Sequence, residues 1–157
     1  MVPQESELSP ARELEGVYMG SRSAAATAAY FDTKDYKYEV FGEEGDIILL
    51  NMLMENRDPI KVALIFSKDG SSVSIRNTDL ARVPDGKEIQ AIRVCNELNL
   101  SFRWIKFAYD DERKMIQASD DAVIYTETCG EEVYRCCGHL MDIANEAYPL
   151  IMKALYV

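Results

Sequence analysis

Four cysteines and a single histidine are the side chains with the most chemistry to offer: Cys95, Cys129, Cys136, Cys137 and His139. On one helix, Cys129 and Cys136 stand two turns apart, about 10 Å by helical rise. Two ligands of one zinc ion, each about 2.3 Å from it, do not span that gap. Cys136 and Cys137 point about 100° apart, and Cys136 with His139 makes half a site at most. The spacing therefore predicts no metal site, and it is not a disulfide framework. Small buried core cysteines are the expectation. The alternative is a thiol redox sensor at Cys136 or Cys137, which requires an exposed, acidic thiol.

The acids Asp110, Asp111, Glu112, Asp120 and Asp121 invite a calcium reading. No glycine sits where an EF-hand loop needs one, and no glutamate closes the pattern, so a solvated charged turn is expected. Asn96 and Asn99 read as local backbone partners, with Asn99 ending a helix and Asn96 bonding nearby backbone. A competing site would gather the distant residues Asn96, Trp104, His139 and Asp142 around a small molecule. No nucleophile, base and orienting group fall together in sequence. No catalytic, cofactor-binding or metal-binding residue is assigned, and a non-enzymatic protein is the expectation.

The bulk properties narrow the function classes. With 157 residues, the chain is one domain by size. Apolar residues at 48% and charged residues at 28% are the proportions of a globular chain rather than a disordered one. A net charge of −10 repels nucleic-acid phosphates and anionic lipid. No apolar run is long enough to span a membrane. The polar, acidic start MVPQESELSP lacks a signal peptide's basic head and apolar core, so the cytoplasm is expected.

The elements that must position these residues follow from periodicity. Residues 1–8 read as a tail. Ser9 and Pro10 suit a helix start. That helix either stops at Gly20 and is followed by an alanine-rich one to Phe31, or runs on as one long helix. Tyr36 to Phe41, Asp46 to Met54 and Ile60 to Phe66 read as strands, the second a central one. Asp69-Gly70 is a hairpin turn, with Ser71 to Asn77 returning. Glu88 to Asn99 reads as a helix whose inner face is Ile89, Ile92, Cys95 and Asn96. Phe102 to Tyr109 carries large apolar groups on both faces and reads as an internal strand, and Lys114 to Ser119 pairs back. Thr128-x-x-Glu131 reads as a capping box. The final helix buries Val133, Cys136, Cys137, Leu140, Ile143, Ala144, Ala147 and Ile151, and Pro149 is expected to kink or break it.

Three stretches resemble the YbjN-like family, which shares its fold with type III secretion chaperones: AAYFDTKDYKYEV, VPDGKEIQAIRVCNELNLSFRWIKFAYDD and ETCGEEVYRCCGHLMDIANEAYPLI. Asn96, Asn99, Trp104 and Phe107 are the signature positions, structural rather than chemical. The resemblance implies an α+β fold, an antiparallel sheet of five or six strands with helices packed on it, in the order α-β-β-β(-β)-α-β-β-α. It divides the chain into residues 1–20, a tail and short helix, and residues 21–157, a single YbjN-like domain. It also implies a bacterial sensory transduction regulator, often a homodimer. Joined to the acidic composition, this gives a protein-binding module, regulator or chaperone-like, with a protein partner, no cofactor, no nucleic acid and no membrane.

Overall fold

The computed structural model describes the backbone from residue 10 to residue 157 and side chains from Met19 onward. The tail at 1–8 and the Ser9 cap lie outside the described residues. The described residues form three helices and six strands: α1 (Pro10–Thr33), β1 (Tyr38–Phe41), β2 (Ile47–Met52), β3 (Ile60–Phe66), β4 (Ser72–Arg82), α2 (Glu88–Ser101), β5 (Lys106–Asp110), β6 (Met115–Val123) and α3 (Cys129–Tyr156). The strands make one antiparallel sheet in the order β1-β2-β3-β4-β6-β5. This is the expected α+β architecture, with six strands.

Alternation selects the buried face. On β3, Ile60, Val62, Leu64 and Phe66 are buried. Across the ladder, Ile48, Leu64 and Ile75 stand in one row, fully buried. The helices close over this face. The α3 stripe of Val133, Cys137, Leu140, Ala144, Ala147, Ile151 and Leu155 supplies the opposing layer. Cys136 and Ile143, expected within the stripe, are half-buried on its flanks.

Small residues set how closely α1 approaches its neighbours. It runs unbroken through Gly20, where a side chain would collide with the Ser67 carbonyl, 2.5 Å from the position of a Cβ. Gly70, at φ +75°, turns the hairpin against the same helix, with Ser23 Oγ donating to its carbonyl at 2.9 Å. The hairpin itself is tied by Asp69, which accepts from Ser67 Oγ, Ser71 N and Ser71 Oγ. These donors lower its carboxyl to about 2. Gly130 lets α3 meet α1 at Tyr30 and Ala26.

Several elements depart from the sequence reading. α2 buries Ala91, Val94, Cys95 and Leu98, while Ile89 is 64% exposed and Ile92 is 56% exposed. Two stripes of helical spacing compete on this helix, and the one with small Ala91 fits against β5 and α3. The helix passes Asn99 and ends at Ser101. The left-handed residue is Trp104, at φ 73°. That bend interrupts the alternation at 102–105, so β5 starts only at Lys106. It lies at the sheet edge, not inside it. β4 and β6 extend beyond their expected ends, to Arg82 and Val123, with a register shift between Asn77 and Ala81.

α3 continues through Pro149 to Tyr156. Pro149 faces outward while Ala147, Ile151 and Leu155 remain buried, so packing on both sides holds the helix together despite the lost backbone bond. At its start, Glu132 rather than Glu131 folds back. Glu132 accepts from Thr128 Oγ1 and from the Tyr125 N–H.

Candidate protein-binding surface

Among the described residues, no helix packs on the opposite face of the sheet. Its residues can be followed strand by strand through the register. One row runs Glu39, Leu49, Ala63, Arg76, Ser119, Lys106 across all six strands. The next runs Phe41, Ile47, Ile65, Ser74, Asp121. The face therefore has two halves. On β1 to β3 it has an apolar centre of Phe41, Ile47, Leu49, Ala63 and Ile65, with Phe41 and Ile65 exposed, flanked by the exposed Glu39, Asn51 and Lys61. On β4, β6 and β5 it is a polar network. Arg76 Nε donates to Ser74 Oγ at 2.7 Å, and Lys106 Nζ lies 3.4 Å from Asp121. A hydrogen bond from Ser74, then Lys106, holds the Asp121 carboxyl below the usual carboxylate range.

At the β1 end of this face the sheet is uneven. The last β1 pair is Tyr38 with Leu50, but β2 continues to Met52. Asn51 and Met52 thus have ladder partners on β3 and none on β1. A cavity of about 590 Å³ opens beside this edge toward the helix-covered side, lined among others by Tyr36, Lys37, Leu50, Met52, Leu53 and Met141 of α3. A second, of about 390 Å³, shares Lys37, Leu50 and Asn51 with it and continues to Leu49 and Lys61. Extended strand ends beside apolar space are suited to an extended peptide, whose backbone needs strand partners and whose alternate side chains need pockets.

The residues singled out from sequence fall elsewhere. Asn99 bonds both backbone groups of Phe107, which is buried. Trp104 stacks on His139 with ring centroids 5.8 Å apart and planes 12° apart, and Trp104 stays 62% exposed. Asn96 and Asp142 are exposed on α2 and α3. Of the distributed site, the structure joins only the tryptophan and the histidine, and it joins them at the surface.

Among the described residues no three His, Cys, Asp or Glu side chains come together as a metal site requires. All four thiols are free, and burial pushes each upward, Cys95 to about 11 and Cys137 to about 12. The acidic turn is only partly a solvated one. Asp110 caps it by accepting from the backbone of Glu112 and Arg113. Asp120 faces the core in the row of Ile75 and is buried, which raises its carboxyl above the usual range. The sequence count did not separate it from its neighbours, although its β6 parity with Ile116 and Ala118 is a signal.

Solved structures share this arrangement. One is the crystal structure of YbjN, a candidate transcription regulator from E. coli, with a TM-score of 0.57 and 10% identity over 80% of this chain and 91% of that one. The chain has the YbjN-like fold. A second is the ExsC-ExsE complex, with a TM-score of 0.54 and 14% identity over 84% of this chain and 95% of that one. No protein-family model and no curated protein sequence matches the chain. In the YbjN-like fold seen here, no helix among the described residues is long and apolar enough to cross a membrane.

Proposed function

We propose that the chain is a non-enzymatic protein-binding module of the cytoplasm, regulator or chaperone-like, that holds an extended segment of a partner protein. The observation that carries this is the open sheet face, where Phe41, Ile47, Leu49, Ala63 and Ile65 adjoin across three strands with no helix over them among the described residues. Contiguous exposed apolar surface rimmed by polar groups marks interaction sites. Among the solved structures of similar fold is a protein held in complex with another, ExsC with ExsE. The acidic net charge favours a protein partner over nucleic acid or anionic lipid. The upward shift of both candidate thiols, the half-buried Cys136 and the buried Cys137, weighs against a redox sensor.

Ile65→Asp and Leu49→Asp test this directly. Each places a charge on the open face and leaves the core row untouched. Capture of the tagged chain from its native cells, read by mass spectrometry, retains one repeatable partner with the natural chain and loses it with both variants at unchanged fold. A partner retained by both variants places binding elsewhere. The chain is further proposed to be a homodimer. Light scattering at micromolar concentration is expected to give twice the 17.8 kDa chain mass, and a monomer mass refutes it.

A further inference from the structure

β5 closes one end of the sheet. In an antiparallel ladder, residues of an edge strand alternate between bonding the neighbour and facing outward. Phe107 faces outward, and both of its backbone groups are taken. Its N–H donates to Asn99 Oδ1 at 2.7 Å, and its carbonyl accepts from Asn99 Nδ2 at 3.0 Å. A carboxamide presents one acceptor and donors on one plane, as a peptide group does. Asn99 thus fills both places that a residue of an added strand would fill. It is held there by α2, whose Cys95 and Leu98 are buried beside it.

The strand behind this contact is self-complementary. β5 reads Lys106, Phe107, Ala108, Tyr109, Asp110. Laid antiparallel on a second copy about Ala108, Lys106 faces the copy's Asp110 at both ends, and Phe107 faces its Tyr109. Opposite charges and aromatic pairs directly across from each other are the favourable cross-strand pairs. Lys106, Ala108 and Asp110 lie on the open face of the sheet, where no helix among the described residues stands over them. An unguarded edge of this kind recruits another chain.

We propose that Asn99 is an edge lock: by occupying both backbone groups of Phe107 it keeps β5 from pairing with β5 of a second copy. The lock is independent of the partner surface on β1 to β3. Its test is Asn99→Ala, compared with the natural chain by light scattering over a range of concentrations and by amide exchange. The variant is expected to exchange the Phe107 amide at least tenfold faster when dilute. Its particle mass is expected to rise with concentration toward twice that of the natural chain's own particle. Adding Ala108→Lys, which sets two lysines against each other at the centre of the pair, returns the mass to the natural value. Faster exchange in a folded variant whose mass matches the natural chain at every concentration overturns the proposal. So does association that Ala108→Lys leaves intact. If the alanine variant does not fold, Asn99→Leu keeps the bulk of the side chain and loses both the acceptor for the Phe107 N–H and the donor to its carbonyl. It is read by the same two measurements, and an unchanged mass overturns the lock equally.

Discussion

Two glycines on one helix should answer the same substitution with opposite signs. Gly130 and Gly138 both lie within α3. A Cβ at Gly130 would stand 2.5 Å from Tyr30 Cβ, 3.0 Å from Tyr30 Cγ and 3.2 Å from the Ala26 carbonyl oxygen. Carbon atoms in ordinary contact are about 3.5–4.0 Å apart, so α1 and α3 would have to separate by roughly 1 Å. The obstructing atoms are the root of a side chain and a helix backbone, and neither swings aside. Forcing a methyl into such a contact costs about 1–3 kcal/mol. At Gly138 a Cβ meets nothing within 4 Å. There Gly→Ala only restricts the unfolded chain and improves helix propensity, a gain of about 0.4–1 kcal/mol. In a chain of this size each kcal/mol moves the melting midpoint by about 2–4 °C. Thermal and urea unfolding of Gly130→Ala and Gly138→Ala, each beside the natural chain, are the assays. Gly130→Ala should melt lower and Gly138→Ala higher. If both variants gained stability, α1 would not pack on α3 at Tyr30, and the account of this interface would be wrong.

The remaining predictions concern charge, thiols and the aromatic stack. Burial raises the Asp120 carboxyl, so its ionised form costs stability above the folded-state value, and that cost is relieved as pH falls toward the ordinary carboxylate range. Asp120→Asn should therefore stabilise the protein at pH 7, with a gain that fades as pH approaches 4; a constant gain across urea titrations at both pH values would refute the burial argument. Native protein at pH 7.5 should react slowly with a thiol reagent and keep its mass after mild peroxide, while all four cysteines label in denaturant. Rapid native labelling of Cys136 would revive the sensor reading. The chain has one tryptophan, so emission excited selectively from tryptophan, beyond the tyrosine absorption, reports Trp104 alone. His139→Ala should shift that emission to longer wavelength, because losing the stacked imidazole exposes the indole further. An unchanged spectrum would remove the stack.

Strand composition and turn chemistry made the sheet legible. The alternation Ile60, Val62, Leu64, Phe66 and the Asp69-Gly70 turn predicted β3, its buried face and its hairpin partner as found. Local pattern failed where tertiary fit decides. Two apolar stripes on α2 have equally good helical spacing, and only the shape of the α2 and β5 junction selects Ala91 over Ile89 and Ile92. The phase of alternation cannot be carried through a left-handed residue, so Trp104 made an edge strand resemble an internal one. Pro149 was read by its local cost, but the buried residues on either side outweigh it. The open face was visible in sequence only as leftover positions, Leu49, Ala63 and Ile65 among buried neighbours. Their meeting in rows depends on register between strands, which no single stretch encodes.

The central claim is that a partner protein lies on the open sheet face. A photo-activated cross-linking residue placed at Ala63, in the middle of that face, and another placed at Glu146, exposed on α3, test it most directly. Irradiation in native cells should yield one repeatable protein adduct from position 63 and none from position 146. Equal adducts from both positions, or an adduct from position 146 alone, would contradict the account.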